Sequence, residues 1–326
     1  MTATTVPKGT VPKGTVPTGR TRNRRRSYSR RRAARLGILL ALPAIVLLIL
    51  FLIWPIITAV QYSFTSASGF GDMASVGGAN YAQAVTDPNF YASIGRNVIF
   101  ALVVVIASVV IGFVVAYLLF LRVRGWRPLQ VILMIPYIMP VVVSALLWQF
   151  LLEPEAGLVN TGLRKIGLGF LAGPWLTGQS TALGSVSLVQ IWVTIPLAML
   201  LIFGAMLSLP GEVMEAADLD GAGHATKMFR VVFPMIRPTV VLTAFVITIN
   251  LFRSFDLVYL LTKGGPINST TIATLYVFVQ GFINNEYGYA NAVGIVLGVV
   301  LVAIAVVPRI YSSRVAKRRA VTEVSD

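Results

Sequence analysis

The chain has 326 residues, of which 56% are hydrophobic and only 12% charged, and it carries a formal net charge of +15 with a mean hydropathy of +0.80. Because soluble domains carry about 25% charged residues, this composition excludes a soluble globular protein and indicates an integral membrane protein. Cysteine is absent, which excludes disulfides, thiolate catalysis and cysteine-ligated metal sites.

The first 35 residues form a basic tail. Residues 1–19 repeat TVPKG, TVPKG and TVPTG, whose Pro and Gly oppose regular structure, and the Arg-rich segment RTRNRRRSYSRRRAAR follows. We predict that residues 1–35 are disordered. An apolar stretch this long after Leu36, without a small-residue cleavage site, is not a cleavable signal peptide. Its position directly after the basic segment favours membrane topology over nucleic-acid binding as the reason for the charge.

Six apolar segments are long enough to cross a bilayer. About 20 residues cross a hydrocarbon core of about 30 Å as a helix, and lipid offers the backbone no hydrogen-bond partners outside the helix. The predicted spans are residues 36–60, 97–121, 129–150, 183–207, 239–261 and 290–308. The predicted fold class is therefore all-α, a polytopic membrane domain of six helices over 36–311, followed by a tail at 312–326.

The Lys and Arg residues predict the orientation of these spans. All but five of the 27 fall in the two tails, the 122–127 turn or the loop at 206–238. By the positive-inside rule, both termini, that turn and that loop are cytoplasmic.

The connections contain helix breakers at defined places. Pro136 and Pro140 in the third span remove backbone hydrogen bonds and allow kinks. We predict that residues 77–97 lie on the extracytoplasmic side of the membrane and form a short interfacial helix. The segment TKGGPINSTT at 262–271 predicts an exit from the membrane through a Gly-Gly-Pro break.

The sequence holds no motif for catalysis. HExxH, a supported GxSxG and the phosphate-binding GxxxxGK[ST] are all missing, and the chain has one histidine, His224. We therefore predict a chain that is not an enzyme and binds no metal or cofactor of its own. If the chain takes part in active transport, the energy must come from a partner or an ion gradient.

The 206–238 loop contains a short amphipathic segment, EVMEAADLDGAG. Pro210 and Gly211 end the fourth span, and we predict a short helix that ends at Gly221 or Gly223. A helix this short is unstable alone, so it needs a surface, and a partner protein is the simplest source of one.

The spacing of these residues resembles a known family. Glu215-Ala216-Ala217, Asp220-Gly221-Ala222, Phe229, Pro234 and Pro238 are similar to the EAA loop of the permease subunits of bacterial ABC importers, in particular the maltose permease-like carbohydrate group. The resemblance covers about residues 36–311, and FDLVYLLTKGGP at 255–266 is similar to the first permease of the heterodimeric pair.

This resemblance implies a type I importer permease fold in a bacterial inner membrane. It implies a pore shared with a second permease, two ATPase subunits that bind ATP and Mg, and an extracytoplasmic solute-binding protein that delivers a sugar. The residues implied to couple the chain to the ATPase are Glu215, Ala216, Ala217, Asp220, Gly221 and Phe229.

The fifth span predicts the substrate pathway. Arg253 and Asp256 are the only charges inside a predicted span, and Asn250 and Ser254 lie beside them, with Thr239 and Thr243 on the same helical stripe. Since a charged side chain facing lipid is costly, this face should turn to the protein interior or a wet cavity. An ion pair between Arg253 and Asp256 that only fixes helix packing is the alternative. Tyr137, Gln190, Trp148 and Trp192 are weaker candidates for the cavity.

Two other functions remain open from the sequence. Arg253 could hold the phosphate of glycerol phosphate or another polyol ester, in the same ABC architecture. An ion-driven secondary transporter is the third reading; it is opposed by the lack of a second carboxylate within the spans and of detectable repeated halves.

Overall fold

In the computed structural model, residues 25–68, 73–253 and 255–303 are described. The described secondary structure is helical, with two isolated β-bridges, Thr65 to Ser75 and Ser68 to Glu286. The helices are α1 (Arg25–Leu48), α2 (Trp54–Ser63), α3 (Ala79–Thr86), α4 (Pro88–Phe120), α5 (Trp126–Ile138), α6 (Val141–Leu151), α7 (Leu158–Lys165), α8 (Ala182–Leu207), α9 (Gly211–Leu219), α10 (His224–Thr226), α11 (Phe233–Arg253), α12 (Asp256–Thr262), α13 (Ala273–Phe278) and α14 (Tyr287–Ala303). Short π-helical turns join α1 to α2 and α10 to α11 and extend α13 to Ile283.

The chain divides into two units, residues 1–57 and 58–326. In the first unit, α1 begins at Arg25, inside the segment that the sequence assigns to a disordered tail. Arginine has a high helix propensity, so the basic residues can extend the helix outward from the apolar segment. The apolar side chains that follow are exposed, as in Leu40 and Phe51, and are suited to contact with lipid.

The second unit is built around α4 and α8, which pack along their length, and α11 packs against both. The close approach of α4 and α8 depends on small residues. A Cβ atom at Gly112 would lie 2.7 Å from the Cβ of Ala198 and 2.9 Å from the backbone nitrogen of Met199. A larger residue at 112 would therefore push the two helices apart.

The long apolar helices confirm the predicted helical membrane architecture. Four helices can cross a bilayer by length and composition: Gly37–Ser63, Pro88–Phe120, Ala182–Leu207 and His224–Arg253. The third predicted span consists of two helices, α5 and α6, which are bent by 100° relative to each other. If this pair counts as one span, the described residues contain five candidate spans. The predicted sixth span, 290–308, corresponds to α14 up to residue 303 and then leaves the described residues.

The fifth predicted span differs most from the sequence prediction. A helical run already begins at His224, fifteen residues before the predicted start, because Pro234 and Pro238 do not end it. Proline is tolerated in membrane helices when local adjustments satisfy the freed backbone groups, and a π-helical turn at Lys227–Val232 ends two residues before Pro234. The run stops at Arg253, and α12 is a separate helix.

Three elements meet at the start of α4. Asp87 caps the helix by accepting a hydrogen bond of 2.8 Å from the backbone N–H of Asn89. Its carboxylate also accepts hydrogen bonds from the hydroxyls of Tyr276 in α13 and Tyr289 in α14. The predicted interfacial helix of the 77–97 segment is α3, which ends immediately before this cap.

Candidate transport cavity and coupling surface

A polar cavity lies where two helices break. Its volume is about 440 Å³, and it lies between the α5–α6 bend and the α11–α12 break. The polar residues that line it are Tyr137, Gln190, Thr194, Asn250, Arg253 and Asp256. Discontinuous helices are a recurrent way to expose polar groups at membrane depth, because the backbone around a break can face a cavity instead of lipid.

A proline accounts for the first break, and a side-chain hydrogen bond marks the second. Pro140 disfavours the helical conformation of the residue before it, and Met139 is extended, with φ −66° and ψ 136°. At the second break, Phe255 has φ −130° and ψ −7°, and the side chain of Asp256 accepts a hydrogen bond of 3.1 Å from the backbone N–H of Phe255. Asp256 therefore begins α12 at the edge of the cavity.

Arg253 and Asp256 are both exposed to the cavity and are not paired with each other. Among the described residues, the one ion pair joins Lys227 to Asp218. A guanidinium and a carboxylate at membrane depth require water or a polar solute. The cavity thus offers a cation, an anion and the amides of Asn250 and Gln190 to whatever occupies it.

The remaining predicted pathway residues divide between cavity and core. Thr243 is buried and donates a hydrogen bond of 2.8 Å to the carbonyl of Thr239. The polar stripe therefore reaches the cavity only near the C-terminal end of α11. Ser254 lies outside the described residues. Trp148 and Trp192 pack edge to face, with centroids 5.6 Å apart, and Trp148 lines a separate apolar cavity instead.

The predicted short helix in the 206–238 loop is present as α9. The helix ends in a Schellman motif. The N–H of Ala222 donates a hydrogen bond to the carbonyl of Ala217, and the N–H of Gly221 donates one to the carbonyl of Asp218, both at 3.0 Å. Gly221 has φ +68°, a left-handed conformation that glycine adopts without strain. Of the two predicted ends, Gly221 is the one observed.

One side of α9 is fixed to the membrane domain. Ala217 is buried, and Asp218 pairs with Lys227, whose side chain is itself buried. The hydroxyl of Tyr117, near the end of α4, donates a hydrogen bond of 3.1 Å to the carbonyl of His224. The burial of Lys227 cannot be predicted from its neighbours in the sequence, where the carboxylate of Asp218, nine residues earlier, is its only signal.

The other side of α9 is free for a partner. Glu215, Ala216 and Asp220 are exposed, and Leu219 is 89% exposed. Phe229 is 60% exposed, although its ring also lies 6.4 Å from that of Phe113. Exposed apolar side chains beside exposed carboxylates indicate an interaction surface.

Comparisons with known proteins test the family resemblance that the sequence shows. Residues 108–320 match the family model "Binding-protein-dependent transport system inner membrane component". A probable ABC transporter permease protein of Pyrococcus horikoshii is 30% identical over 279 residues, covering 85% of this chain and 94% of that protein. The sn-glycerol-3-phosphate transport system permease protein UgpA of Yersinia pestis is 29% identical over 276 residues, covering 82% and 91%.

The fold is also found among solved structures. A chain of a bacterial alginate ABC transporter, solved in complex with an alginate pentasaccharide-bound periplasmic protein, superposes with a TM-score of 0.76. The two chains are 22% identical, and the match covers 90% of this chain and 99% of that one. With a family match over most of its length, this chain belongs to the inner membrane components of binding-protein-dependent transport systems, the permeases of ABC importers.

Proposed function

We propose that this chain is a permease subunit of an ATP-driven importer for a sugar or oligosaccharide. The observation that carries the proposal is the polar cavity between the two helix breaks. Arg253, Asp256 and Asn250 present donors and acceptors to a space of about 440 Å³, within the range of small-molecule sites. A solute rich in hydroxyl groups matches that mixture of a guanidinium, a carboxylate and amides.

The proposed assembly contains this chain, a second permease, two ATPase subunits and an extracytoplasmic solute-binding protein. ATP and Mg belong to the ATPase subunits, since this chain has no phosphate-binding loop. The exposed side of α9, with Glu215, Ala216, Asp220 and Leu219, docks on one ATPase subunit. The buried side, through Ala217 and the Asp218–Lys227 pair, transmits the movement of the ATPase to α11 and so to the cavity. Both termini lie in the cytoplasm in this arrangement.

A polyol phosphate is the second candidate for the transported solute. Arg253 has no carboxylate partner among the described residues, and a guanidinium binds phosphate through two parallel hydrogen bonds. The Yersinia pestis relative is named for sn-glycerol-3-phosphate. A phosphate in the cavity would be held by Arg253 but repelled by Asp256, whereas a neutral sugar would use both.

Reconstitution tests the proposal directly. The complex, assembled from this chain and its partner permease, ATPase and solute-binding protein, is placed in liposomes. We expect accumulation of a labelled sugar only with Mg-ATP and the solute-binding protein. Accumulation of labelled glycerol phosphate, and of no labelled sugar, under the same conditions would identify the second candidate. Uptake by this chain alone, driven by a proton or sodium gradient, would contradict an ATP-driven importer.

A further inference from the structure

A second polar cavity lies beside the first turns of α4. Its volume is about 250 Å³, and it is bounded by α4, the loop between α12 and α13, and α13 with its π-helical extension. The polar residues that line it include Asn89, Arg96, Asn268, Thr271, Gln280 and Asn284. Among the described lining residues, none carries a carboxylate, and none is shared with the transport cavity. This second cavity is therefore a separate site with one positive charge.

The guanidinium of Arg96 has donors left for a ligand. Arg96 is half-buried, and its Nη1 donates a hydrogen bond of 3.4 Å to the carbonyl of Thr271. No carboxylate within the described part of the chain forms an ion pair with it. A guanidinium carries five N–H donors, and it matches the geometry of a carboxylate or phosphate group.

Two amides add further donors. The Oδ1 of Asn268 accepts a hydrogen bond of 3.4 Å from the hydroxyl of Thr271, and the Oε1 of Gln280 accepts one of 2.7 Å from the Nδ2 of Asn284. Because both amide oxygens already have donors, the N–H groups of these amides are what remains for a ligand. A phosphate group, whose oxygens accept several hydrogen bonds, complements such a set.

The position of Arg96 along α4 matches one boundary of a bilayer. Arg96 is the only charged residue of α4, and the exposed apolar side chains begin directly after it with Val98 and Ile99. Tyr117, 21 residues further along the helix, bonds to the carbonyl of His224. At a rise of 1.5 Å per residue, Arg96 and Tyr117 are about 31 Å apart, close to the thickness of the hydrocarbon core. The two residues thus lie at the levels of opposite headgroup layers.

We propose that this second cavity binds the phosphate group of an anionic phospholipid. Phe282 and Ile283, which lie between the lining residues Gln280 and Asn284, are 70% and 53% exposed. Apolar surface for acyl chains therefore adjoins the cavity here as well as on α4. Basic pockets between membrane helices are suited to lipid headgroups.

A lipid in this place connects two parts of the fold. The cavity lies between α4 and α13, and the same two helices are joined by the hydrogen bond from Tyr276 to Asp87. A phosphate group that accepts from Arg96 and from Gln280 adds a second link between them. Binding of the lipid therefore stabilises the folded protein.

The test measures the thermal midpoint of the full-length chain in detergent with three added ligands. They are dioleoyl phosphatidylglycerol, dioleoylglycerol, which has the same acyl chains without a phosphate, and inorganic phosphate. A ligand that binds only the folded state raises the midpoint. We expect phosphatidylglycerol to raise it and the other two to raise it much less, because each lacks one half of the site.

Substitutions locate the effect. For Arg96→Gln we expect the concentration of phosphatidylglycerol that gives half of the full shift to rise roughly tenfold or more, because charge-assisted hydrogen bonds are lost. Arg164→Gln is the matched control and should respond as wild type, since Arg164 is exposed, also donates to backbone carbonyls and does not line the cavity. Asn268→Gly removes one amide where φ is +57°, which glycine tolerates. We expect a rise of roughly fivefold and an unchanged midpoint without lipid.

Several results would overturn the inference. An equal shift with dioleoylglycerol would indicate contact with acyl chains alone, and an equal shift with inorganic phosphate would assign the site to a free anion. Equal responses of Arg96→Gln and Arg164→Gln would place the lipid elsewhere on the protein. If Arg96→Gln did not fold, Asn268→Gly would decide, and a wild-type response of that variant would exclude the site.

Discussion

Tyr289, at the start of α14, donates a hydrogen bond of 2.6 Å to the carboxylate of Asp87, the residue that caps α4. Tyr276 in α13 donates to the same oxygen. One carboxylate thus joins the start of α4 to α13 and α14, through tyrosines that lie 189 and 202 residues later in the sequence. Burial raises the pKa of Asp87, but the hydrogen bonds from Tyr276, Tyr289 and the backbone outweigh it, so the pKa lies below its ordinary value of 3.8.

The first prediction is that this junction weakens in acid. A carboxyl group whose pKa is lower in the folded state stabilises the fold above its ordinary pKa, and the contribution is lost as pH falls through the folded value. We expect the thermal midpoint of the purified protein to fall more steeply below about pH 4 in wild type than in Asp87→Asn. Thermal unfolding in detergent from pH 3 to pH 7 measures both curves, and parallel curves would contradict the assignment.

Tyr289→Phe isolates one hydrogen bond of the same junction. The variant keeps the ring in its buried place and removes the hydroxyl. Because Asp87 is partly exposed and retains its other donors, we expect a loss of about 1 kcal/mol at neutral pH, seen as a lowered thermal midpoint. Tyr91→Phe is the matched control: Tyr91 is exposed, and its hydroxyl bonds to the carbonyl of Val85, not to Asp87. An equal effect of the two substitutions would count against a special role of Asp87.

The second prediction concerns the cavity. Arg253→Ala and Asn250→Ala each remove a hydrogen-bonding group from the lining, and we expect uptake to fall about tenfold or more while the complex still assembles. Thr248→Ala is the control, since Thr248 lies on the same helix, bonds to the carbonyl of Ala244 and does not line the cavity. Unchanged transport kinetics in both cavity variants would leave Arg253 and Asn250 with a packing role.

The third prediction is that the isolated chain hydrolyses no ATP, because no segment of it matches a phosphate-binding loop. The measurement is phosphate release by the purified subunit. As a control, the chain is co-expressed with an ATPase whose phosphate-binding lysine is substituted and is then purified away from it. Any ATPase that contaminates this preparation is inactive. Turnover that persists under this control would overturn the prediction.

Local sequence patterns predict some elements of this fold well. α9 and its end at Gly221 follow from a proline, an apolar side and a glycine within twelve residues, and the long apolar runs predict the membrane helices. All of these signals act over a few turns of one helix.

What the sequence does not predict depends on distant contacts. Nothing near Asp87 shows that Tyr276 and Tyr289 will reach it, and Lys227 looks like one more cytoplasmic charge until Asp218 is placed beside it. The break at Arg253 also lies in an apolar run with no Pro or Gly. Periodicity therefore predicts a continuous span, and tertiary structure decides that it is interrupted. Arg253 and Asp256 were recognisable only because charge is rare at that depth.

The last prediction tests α9 as the coupling helix. Glu215 is exposed in this chain, so Glu215→Ala should not destabilise the permease. If the helix docks in a cleft of the ATPase, the carboxylate becomes desolvated and must be matched by a basic or N–H group. Loss of one member of such a pair costs about 2–5 kcal/mol, which weakens docking by about 30-fold or more.

Gly221→Val should give the same phenotype by a different route. Apart from Gly221 and its two chain neighbours, no described residue has an atom within 4 Å of a Cβ placed at Gly221. A substitution there meets no steric clash, and its cost is the left-handed backbone, about 1–2 kcal/mol. The motif that ends α9 should then rearrange and displace the docking surface. Gly223 also has open space around it but has φ −66°, so Gly223→Val is the matched control and should be tolerated.

Co-purification of the ATPase and uptake, measured on the same preparations, distinguish these outcomes. For Glu215→Ala and Gly221→Val we expect a membrane-inserted permease that has lost uptake, with the ATPase either absent or hydrolysing ATP without transport. Partial retention of the ATPase is compatible with this result, because the second permease keeps its own contact. Glu155→Ala, an exposed carboxylate remote from α9 in the sequence, controls for charge removal. If Glu215→Ala and Gly221→Val both keep wild-type co-purification and uptake, α9 does not couple this permease to the ATPase.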